Sequence, residues 1–175
     1  VQQVYRAHEL IAGLMFFANP PEVDPAAVDL NTLVRKAAEE FQGVADDSDI
    51  RLLAETLGAP AMAVVDPMMM LEAIRVLVRN SLEAIGTGGT VVISMESHGD
   101  ASGDLQWLIH VADSGPGLSV EASRHAFDPF FSGCEAGRGL GLGLCRAYRI
   151  AKLHNAIIRL SGGLAGCVAT IGIPR

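Results

Sequence analysis

The stretch from Gly137 to Leu144 constrains the fold most strongly, because four glycines alternate in it with larger residues. An amphipathic pattern follows directly and predicts a helix over 142–153. Glycine adopts positive φ easily and lets a ligand approach backbone N–H groups, while a helix N-terminus adds unpaired donors and a favourable dipole. The stretch is therefore open to two interpretations: an anion site of the kind that holds phosphate, or a tight loop before an ordinary helix.

Composition bounds the kind of protein that carries this stretch. The chain has 175 residues, of which 50% are hydrophobic, so one ordinary domain with a full core is expected. Its net charge of −7 argues against a nucleic-acid partner. Three cysteines without metal-ligand spacing indicate reduced thiols and a cytoplasmic location. The best apolar run, 11–18, is far shorter than a membrane span, although a membrane-anchored parent protein stays open.

The N-terminal region is predicted to be a helix followed by a linker. Residues 1–18 carry an apolar stripe at helical spacing, and two prolines end it, because proline lacks an N–H donor and restricts the preceding residue. The segment from Pro20 to Asp29 contains three prolines and is expected to be extended. Because the helix has no core of its own, we expect it to pair with another helix, and a homodimer through this helix is one form of that pairing.

The rest of the chain is predicted to alternate between helices and strands. Asn31 or Thr32 is expected to cap the second helix, and Asp66 with Pro67 to begin the third. Residues 119–136 are predicted to be irregular, and their phenylalanines suit either a lid or a small hydrophobic cluster. The predicted helices cover 33–41, 68–85 and 142–153, and the predicted strands cover 50–57, 61–65, 90–96, 105–112, 156–160 and 166–173.

Two polar residues stand where the patterns predict apolar surroundings. Asn80 projects from the third helix among alanines, a valine and a leucine, so its amide needs either a nearby loop or a ligand or metal ion as partner. Asp113 continues the apolar parity of its strand, so its carboxylate is expected on the covered side of the sheet. The glycines of Asp113–Leu118 then permit either the close approach of a ligand or an ordinary capped turn.

Four motifs stand in a fixed order along the chain, and a last strand follows them. They look like an N box at Leu71–Ala84, a G1 box at Asp113–Gly117, an F box at Phe127–Phe131, a G2 box at Gly137–Leu142 and the usual final strand at Gly166–Pro174. In this order they resemble the catalytic ATP-binding domain of sensor histidine kinases, a member of the GHKL superfamily that also holds gyrase, chaperone and mismatch-repair ATPases. The resemblance covers 30–175.

The resemblance implies a fold, a domain organisation and an activity. The fold is α+β, a two-layer sandwich in which three helices cover one face of a mixed sheet of about five strands, with ATP between the layers. Residues 1–19 would be the C-terminal part of a dimerisation helix, 20–29 a linker and 30–175 the catalytic domain. The domain would transfer the ATP γ-phosphoryl to a histidine outside this chain. Its implied partners are the dimerisation and phosphoacceptor domain of the same protein and a response regulator.

The resemblance also implies the roles of the site residues. Asn80 would hold Mg²⁺ through its amide oxygen, because this hard ion takes oxygen ligands. Asp113 would accept a hydrogen bond from the adenine amino group. Further nucleotide contacts are expected at Gly115, Gly117, Leu118, Phe131, Arg138, Gly139, Leu140, Gly141, Leu142 and Thr170.

Three departures from the family pattern bear on activity. Val76 stands where gyrase-type ATPases carry a water-activating Glu, and this disfavours efficient hydrolysis because Val cannot act as a base. The Lys that often follows the F box is absent and Arg138 replaces a G2 Thr, so Arg138 is expected to supply a catalytic cation to the phosphates. No phosphoacceptor histidine is evident. His8 lies too close in sequence to the N box, and the resemblance places it in the second helix of the dimerisation hairpin.

Two other functions stay open at this point. A serine-kinase switch of the anti-sigma type uses the same fold, and the N-terminal helix and linker argue against it. A degenerate nucleotide-binding scaffold is the second alternative. The retained Asn80, Asp113 and glycines argue against a scaffold, whereas Val76 and the missing Lys favour it.

Overall fold

The structure, a computed structural model, describes residues 21–99, 105–131, 141–163 and 166–175. The strands in these ranges are β1 (Ala26–Asp29), β2 (Ile50–Glu55), β3 (Met62–Val65), β4 (Gly89–Gly99), β5 (Leu105–Asp113), β6 (Ile157–Gly162) and β7 (Cys167–Pro174). The helices in the same ranges are α1 (Leu30–Asp47), α2 (Pro67–Ile85), α3 (Val120–His125) and α4 (Gly143–Leu153). The helix predicted over 1–18 lies outside the described residues. None of α1–α4 is long and apolar enough to cross a bilayer.

Five strands form one mixed sheet in the order β2-β4-β5-β7-β6. β2 and β4 run parallel, and each of the other neighbouring pairs is antiparallel. β5 lies at the centre, and its last residue, Asp113, is opposite Val91 in β4 and Cys167 in β7. The predicted mixed sheet with a helical layer on one face is confirmed.

The core lies between one face of this sheet and the helices α1, α2 and α4. The odd-numbered residues Trp107, Ile109 and Val111 of β5 are buried there, as the alternation of the strand predicts. The face of α2 predicted to be apolar is buried at Leu71, Ile74, Val78 and Leu82. α2 contacts α1, α4 and β5, so its central part is enclosed between the other helices and the sheet.

Part of the predicted linker is a paired strand. β1 pairs antiparallel with β3, and these two strands form a separate ribbon outside the main sheet. Val23 and Val28 also pack against the core. Folded structure therefore begins ahead of residue 30, because the extended segment finds a partner strand that lies more than thirty residues further along the chain.

The helix α1 is capped by Asp29, and the prediction of Asn31 or Thr32 as its cap is wrong. Oδ1 of Asp29 accepts from the backbone N–H of Asn31 at 3.1 Å and of Ala61 at 3.0 Å. Asn31 is 2% exposed, and its side chain donates to the Ala59 carbonyl at 3.0 Å. The choice among adjacent cap-forming residues is thus made by the β2–β3 loop, which local sequence does not reveal.

The region predicted to be irregular contains the short helix α3. Ser119 caps α3, because its hydroxyl accepts from the Ala122 N–H at 3.0 Å. No residue of α3 is buried. A helix that buries nothing has no apolar stripe, so hydrophobic periodicity gave no signal for it.

Candidate functional site

The Asp113 carboxylate lies on the covered side of the sheet, at the end of β5, as strand parity predicts. Its Oδ2 accepts from the Ser81 hydroxyl of α2 at 3.1 Å. Its Oδ1 accepts from the backbone N–H groups of Gly115 at 3.0 Å and Cys167 at 3.2 Å. None of these three donors carries a charge, and Asp113 is only partly buried. The carboxylate is therefore fixed in orientation by α2, by the turn after β5 and by the first residue of β7, and Oδ2 keeps the capacity to accept from a further donor.

Glycines surround this carboxylate because side chains do not fit there. A Cβ on Gly115 would lie 2.9 Å from Oδ1 of Asp113. Gly166 has φ +98°, and a Cβ there would collide with the Asp113 carbonyl oxygen. Gly117, with φ +85°, makes the turn that follows. The glycine signal in the G1 motif thus reflects close backbone approach around Asp113.

The turn after Asp113 is anchored to the far edge of the sheet. The N–H of Leu118 donates to the carbonyl of Gly163 in the β6–β7 turn at 3.2 Å. Leu118 itself is half-buried. Leu118, predicted to contact a nucleotide, therefore lies on the loop that continues from the Asp113 end of β5.

Asn80 is exposed on α2, and its predicted burial within a second apolar face is wrong. One turn earlier, Val76 is 4% exposed and lies against the start of α4, where a Cβ on Gly143 would be 3.4 Å from its Cγ1. α4 therefore covers α2 at Val76, whereas Asn80 emerges beyond this cover. The exposed Asn80 amide directly precedes the buried Ser81, which bonds to the partly buried Asp113, and it is open to a ligand or an ion.

The N-terminus of α4 is the uncapped one among the four described helices. Asp29, Asp66 and Ser119 cap α1, α2 and α3 through side-chain oxygens. No side chain caps α4 among the described residues, and its first turn contains no acidic residue. The first N–H groups of α4 and the helix dipole are thus available to an anion.

The F box and the end of the G2 box are joined through their backbones. The N–H of Phe130 donates to the Gly141 carbonyl at 2.9 Å, and both residues have positive φ, +66° and +65°. A Cβ on Gly141 would lie 2.6 Å from the Phe131 carbonyl oxygen. Phe131 and Gly141, both predicted site residues, are therefore adjacent. Leu142 follows as the buried N-cap residue of α4.

Three of the predicted site residues, Arg138, Gly139 and Leu140, lie outside the described residues. Their assignment to the phosphates stays a prediction. The described neighbours on either side are Phe131 and Gly141.

Thr170 lies on the opposite face of the sheet from Asp113, and its prediction as a nucleotide contact is corrected by the register. Asp113 is opposite Cys167 in β7, so Thr170, three residues further, points the other way. Its hydroxyl contacts Nδ1 of His110 at 3.0 Å, and Nε2 of His110 lies 3.3 Å from Glu96. Side chains on that face point away from the Asp113 carboxylate.

Cys167 is the β7 residue that lies beside Asp113, and sequence reasoning missed it. Burial, together with the negative charge of Asp113, raises the pKa of the Cys167 thiol. The register of β5 against β7 is what places Cys167 beside Asp113. A pairing of strands that are so distant in sequence cannot be predicted from the local pattern.

Charged residues tie the three covering helices together. Arg75 of α2 donates to both carboxylate oxygens of Glu40 in α1, each at a distance of 2.6 Å. Glu72 of α2 accepts from Arg146 of α4 at 2.6 Å. The first pair holds α2, which carries Asn80 and Ser81, against α1, and the second holds it against α4, the helix whose N-terminus is uncapped.

A comparison with known protein families gives a match over residues 65–175 to the model described as "Histidine kinase-, DNA gyrase B-, and HSP90-like ATPase". The chain belongs to this ATPase family. The Asp113 and α4 ends of the site both lie inside the matched region, and the ribbon strand β1 lies before it.

Curated relatives of this family member are named as a sensor histidine kinase and as a sensor protein. The chain is 28% identical over 156 residues to sensor histidine kinase ZraS of Klebsiella oxytoca, which covers 87% of this chain and 32% of the relative. It is 28% identical over 179 residues to the C4-dicarboxylate transport sensor protein DctS of Rhodobacter capsulatus, which covers 98% of this chain and 26% of the relative. The chain thus spans a third or less of the length of these two relatives.

The fold matches a solved catalytic domain. The nucleotide-free catalytic domain of histidine kinase ThkA is 26% identical to this chain, with a TM-score of 0.76, over 86% of this chain and 95% of that domain. The fold of this ATPase family member is therefore that of a histidine kinase catalytic domain.

Proposed function

We propose that this chain is the ATP-binding catalytic domain of a two-component sensor histidine kinase, which transfers the γ-phosphoryl of ATP to a histidine outside this chain. The observation that carries the proposal is the Asp113 carboxylate, which is fixed by three neutral donors. One of them, Ser81, directly follows the exposed Asn80 on α2, and the uncapped start of α4 packs on the same helix at Val76. The family match and the sensor-kinase relatives support it.

Asp113 and its glycines fit an adenine base. A carboxylate accepts hydrogen bonds and donates none when ionised, so it suits the 6-amino group of adenine and not a 6-oxo group. The close packing that excludes a Cβ from Gly115 also keeps the loop thin enough for a flat base to approach. Gly117 and Leu118 continue the loop that would lie against the base.

The phosphate end is assigned to the start of α4 and to Asn80. The first N–H groups of α4, with Gly141 and Leu142 before them, would face the phosphate charge, and the predicted contacts of Gly139 and Leu140 extend the same loop. We assign Arg138 as a cation for the same phosphates, because an arginine binds phosphate oxygens in a bidentate manner. Bound Mg²⁺ would neutralise phosphate charge, and the Asn80 amide oxygen is a suitable ligand for it.

Val76 favours phosphoryl transfer over hydrolysis. The position that a general base would occupy holds a valine that is 4% exposed and packed on Gly143. A valine side chain provides no proton acceptor there. Phosphoryl transfer depends chiefly on positioning and charge neutralisation, which the assigned residues supply.

The partners of the proposed kinase are a phosphoacceptor and a response regulator. We assign residues 1–19 to the end of a dimerisation helix, with a homodimer through that helix, and the predicted linker 20–29 to a connection that ends in the paired strand β1. The reduced cysteines suit the cytoplasm. ThkA, whose catalytic domain resembles this chain, has also been solved in complex with response regulator protein TrrA.

Calorimetric titration with a non-hydrolysable ATP analogue tests the proposal. The wild type is expected to bind, and Mg²⁺ is expected to strengthen the binding. Asp113→Asn should lose binding, because an amide replaces the acceptor, and Asn80→Ala should lose the Mg²⁺ dependence. Thr170→Ala, on the opposite face, is the matched control and should bind as the wild type does. A wild type that binds no nucleotide refutes the proposal.

A further inference from the structure

Ser81 is a buried hydroxyl on α2 whose hydrogen bond goes directly to the site. It is 2% exposed, and its Oγ donates to Oδ2 of Asp113 at 3.1 Å. A hydroxyl this deeply buried needs a partner, since leaving it unpaired would cost free energy. Ser81 and Asp113 satisfy each other across the boundary between helix layer and sheet.

The two other bonds to Asp113 come from backbone N–H groups, which no side-chain change removes. Gly115 and Cys167 both donate to Oδ1. The Ser81 hydroxyl donates to Oδ2. Rotation of the carboxylate about its Cβ–Cγ bond is therefore opposed on the Oδ2 side by one replaceable side chain.

Ser81 also follows Asn80 directly on α2. The exposed Asn80 is assigned above to the metal and phosphate end, whereas Ser81 contacts the carboxylate assigned to the base. The Ser81–Asp113 hydrogen bond thus connects the helix that carries one end of the site with the strand that carries the other.

We propose that Ser81 is a positioning residue for base selection: its hydroxyl holds the Asp113 carboxylate in the orientation that accepts from a 6-amino purine. This inference rests on the proposed nucleotide-binding function. Ser81 itself makes no contact with the nucleotide, and it affects the selection of the base through Asp113 alone.

The test compares adenosine and inosine nucleotides, which differ at position 6. Dissociation constants of non-hydrolysable ATP and ITP analogues are measured with Mg²⁺ for the wild type and for Ser81→Ala, Ser81→Cys and Ser81→Thr. Cys retains a weak donor of similar size, and Thr retains the hydroxyl. Ser161→Ala removes a hydroxyl that donates at 3.4 Å to a strand carbonyl at an exposed position, and serves as control.

Ser81→Ala and Ser81→Cys are expected to weaken the ATP analogue about tenfold, the size of one hydrogen bond to a charged group. The ITP analogue should change by less than about threefold, because its phosphates are bound elsewhere and its 6-oxo group makes no bond with Asp113. Ser81→Thr should restore the wild-type preference. Thermal unfolding of each variant shows whether the fold is kept, and Ser81→Cys decides the matter if the alanine variant unfolds.

Equal weakening of both analogues would overturn the inference, since it would mark Ser81 as a general packing residue of α2. Unchanged affinity for both would overturn it as well. Either result leaves the proposed function standing, provided that the wild type binds the ATP analogue. Failure of the wild type to bind either analogue is the separate result that refutes the proposed function.

Discussion

Replacement of Asp66 by alanine should weaken the start of the helix that carries the site. Asp66 is 7% exposed and caps α2 by accepting from the Met68 and Met69 N–H groups at 3.0 Å. It also accepts from the Asp24 N–H at 3.1 Å. The lost cap costs about 1 kcal/mol, the lost Asp24 bond about 1 kcal/mol, and the lost charge at the helix N-terminus about 0.5 kcal/mol.

The expected loss in the free energy of unfolding is therefore roughly 2–3 kcal/mol. At about 2–4 °C per kcal/mol for a chain of this size, the midpoint of thermal unfolding should fall by roughly 5–10 °C. Circular dichroism during urea and thermal unfolding measures both quantities. Asp47→Ala, an exposed aspartate at the end of α1, is the control and should stay within about 0.5 kcal/mol of the wild type.

The pH dependence separates charge from cap geometry, with Asp66→Asn as the matched variant. Burial alone would raise the pKa of the Asp66 carboxyl, but the N–H groups of Met69, Asp24 and Met68 lower it below its usual value. A lowered folded pKa contributes stability above the unfolded pKa, and this stability is lost as pH falls through the folded pKa. The wild type should thus exceed Asp66→Asn at pH 7 and lose that advantage towards the acid limit of folding. An advantage that persists unchanged in acid, or an unaltered Asp66→Ala, refutes the reasoning.

Three further substitutions or modifications test the packing around the site. Gly115→Ala puts a Cβ 2.9 Å from Oδ1 of Asp113 and should weaken an ATP analogue about tenfold by calorimetry, whereas Gly163→Ala, with open space around its Cβ, should bind normally. Gly141→Ala puts an alanine at positive φ and places its Cβ 2.5 Å from the backbone carbonyl carbon of Phe130 in the F box. The Gly141→Ala substitution should lower the free energy of unfolding in urea by about 2–3 kcal/mol. A change below about 0.5 kcal/mol in the same measurement would show that alanine is accommodated there without steric conflict. Because burial raises the pKa of Cys167, iodoacetamide should modify it slowly at pH 7 and faster above pH 9, as followed by mass spectrometry; fast modification at pH 7 would contradict the burial.

Local signals located the best-defined parts of the site. The Asp66-Pro67 pair marks the start of α2, because one residue supplies the cap and the next has a helical φ already fixed. Strand parity put Asp113 on the helical side without any knowledge of the fold. Both inferences use interactions between residues that lie close together in sequence.

The errors concern contacts between distant parts of the chain. Thr170 was assigned to the site and Cys167 overlooked, because the register of β5 against β7 depends on pairing between distant strands. The helical pattern predicts a buried Asn80, but the residue is exposed. Its exposure depends on where α4 stops covering α2, and this contact between helices is not visible in local sequence. The bond from Ser81 to Asp113 likewise joins two residues that are 32 positions apart in sequence. Periodicity describes which face of an element is apolar, but not which neighbour lies on it.

The central claim is that a nucleotide lies between α2 and the sheet, with its base at Asp113 and its phosphates at the start of α4. Amide NMR spectra of the chain, recorded during titration with a non-hydrolysable ATP analogue and Mg²⁺, test it most directly. Large shifts are expected for the N–H groups of Gly115 and Cys167, which donate to Asp113, and for Gly143 in the first turn of α4. The N–H of Thr170, on the opposite face, should move little. Shifts centred on Thr170, with Gly115, Cys167 and Gly143 unchanged, would mean that the nucleotide does not bind between α2 and the sheet.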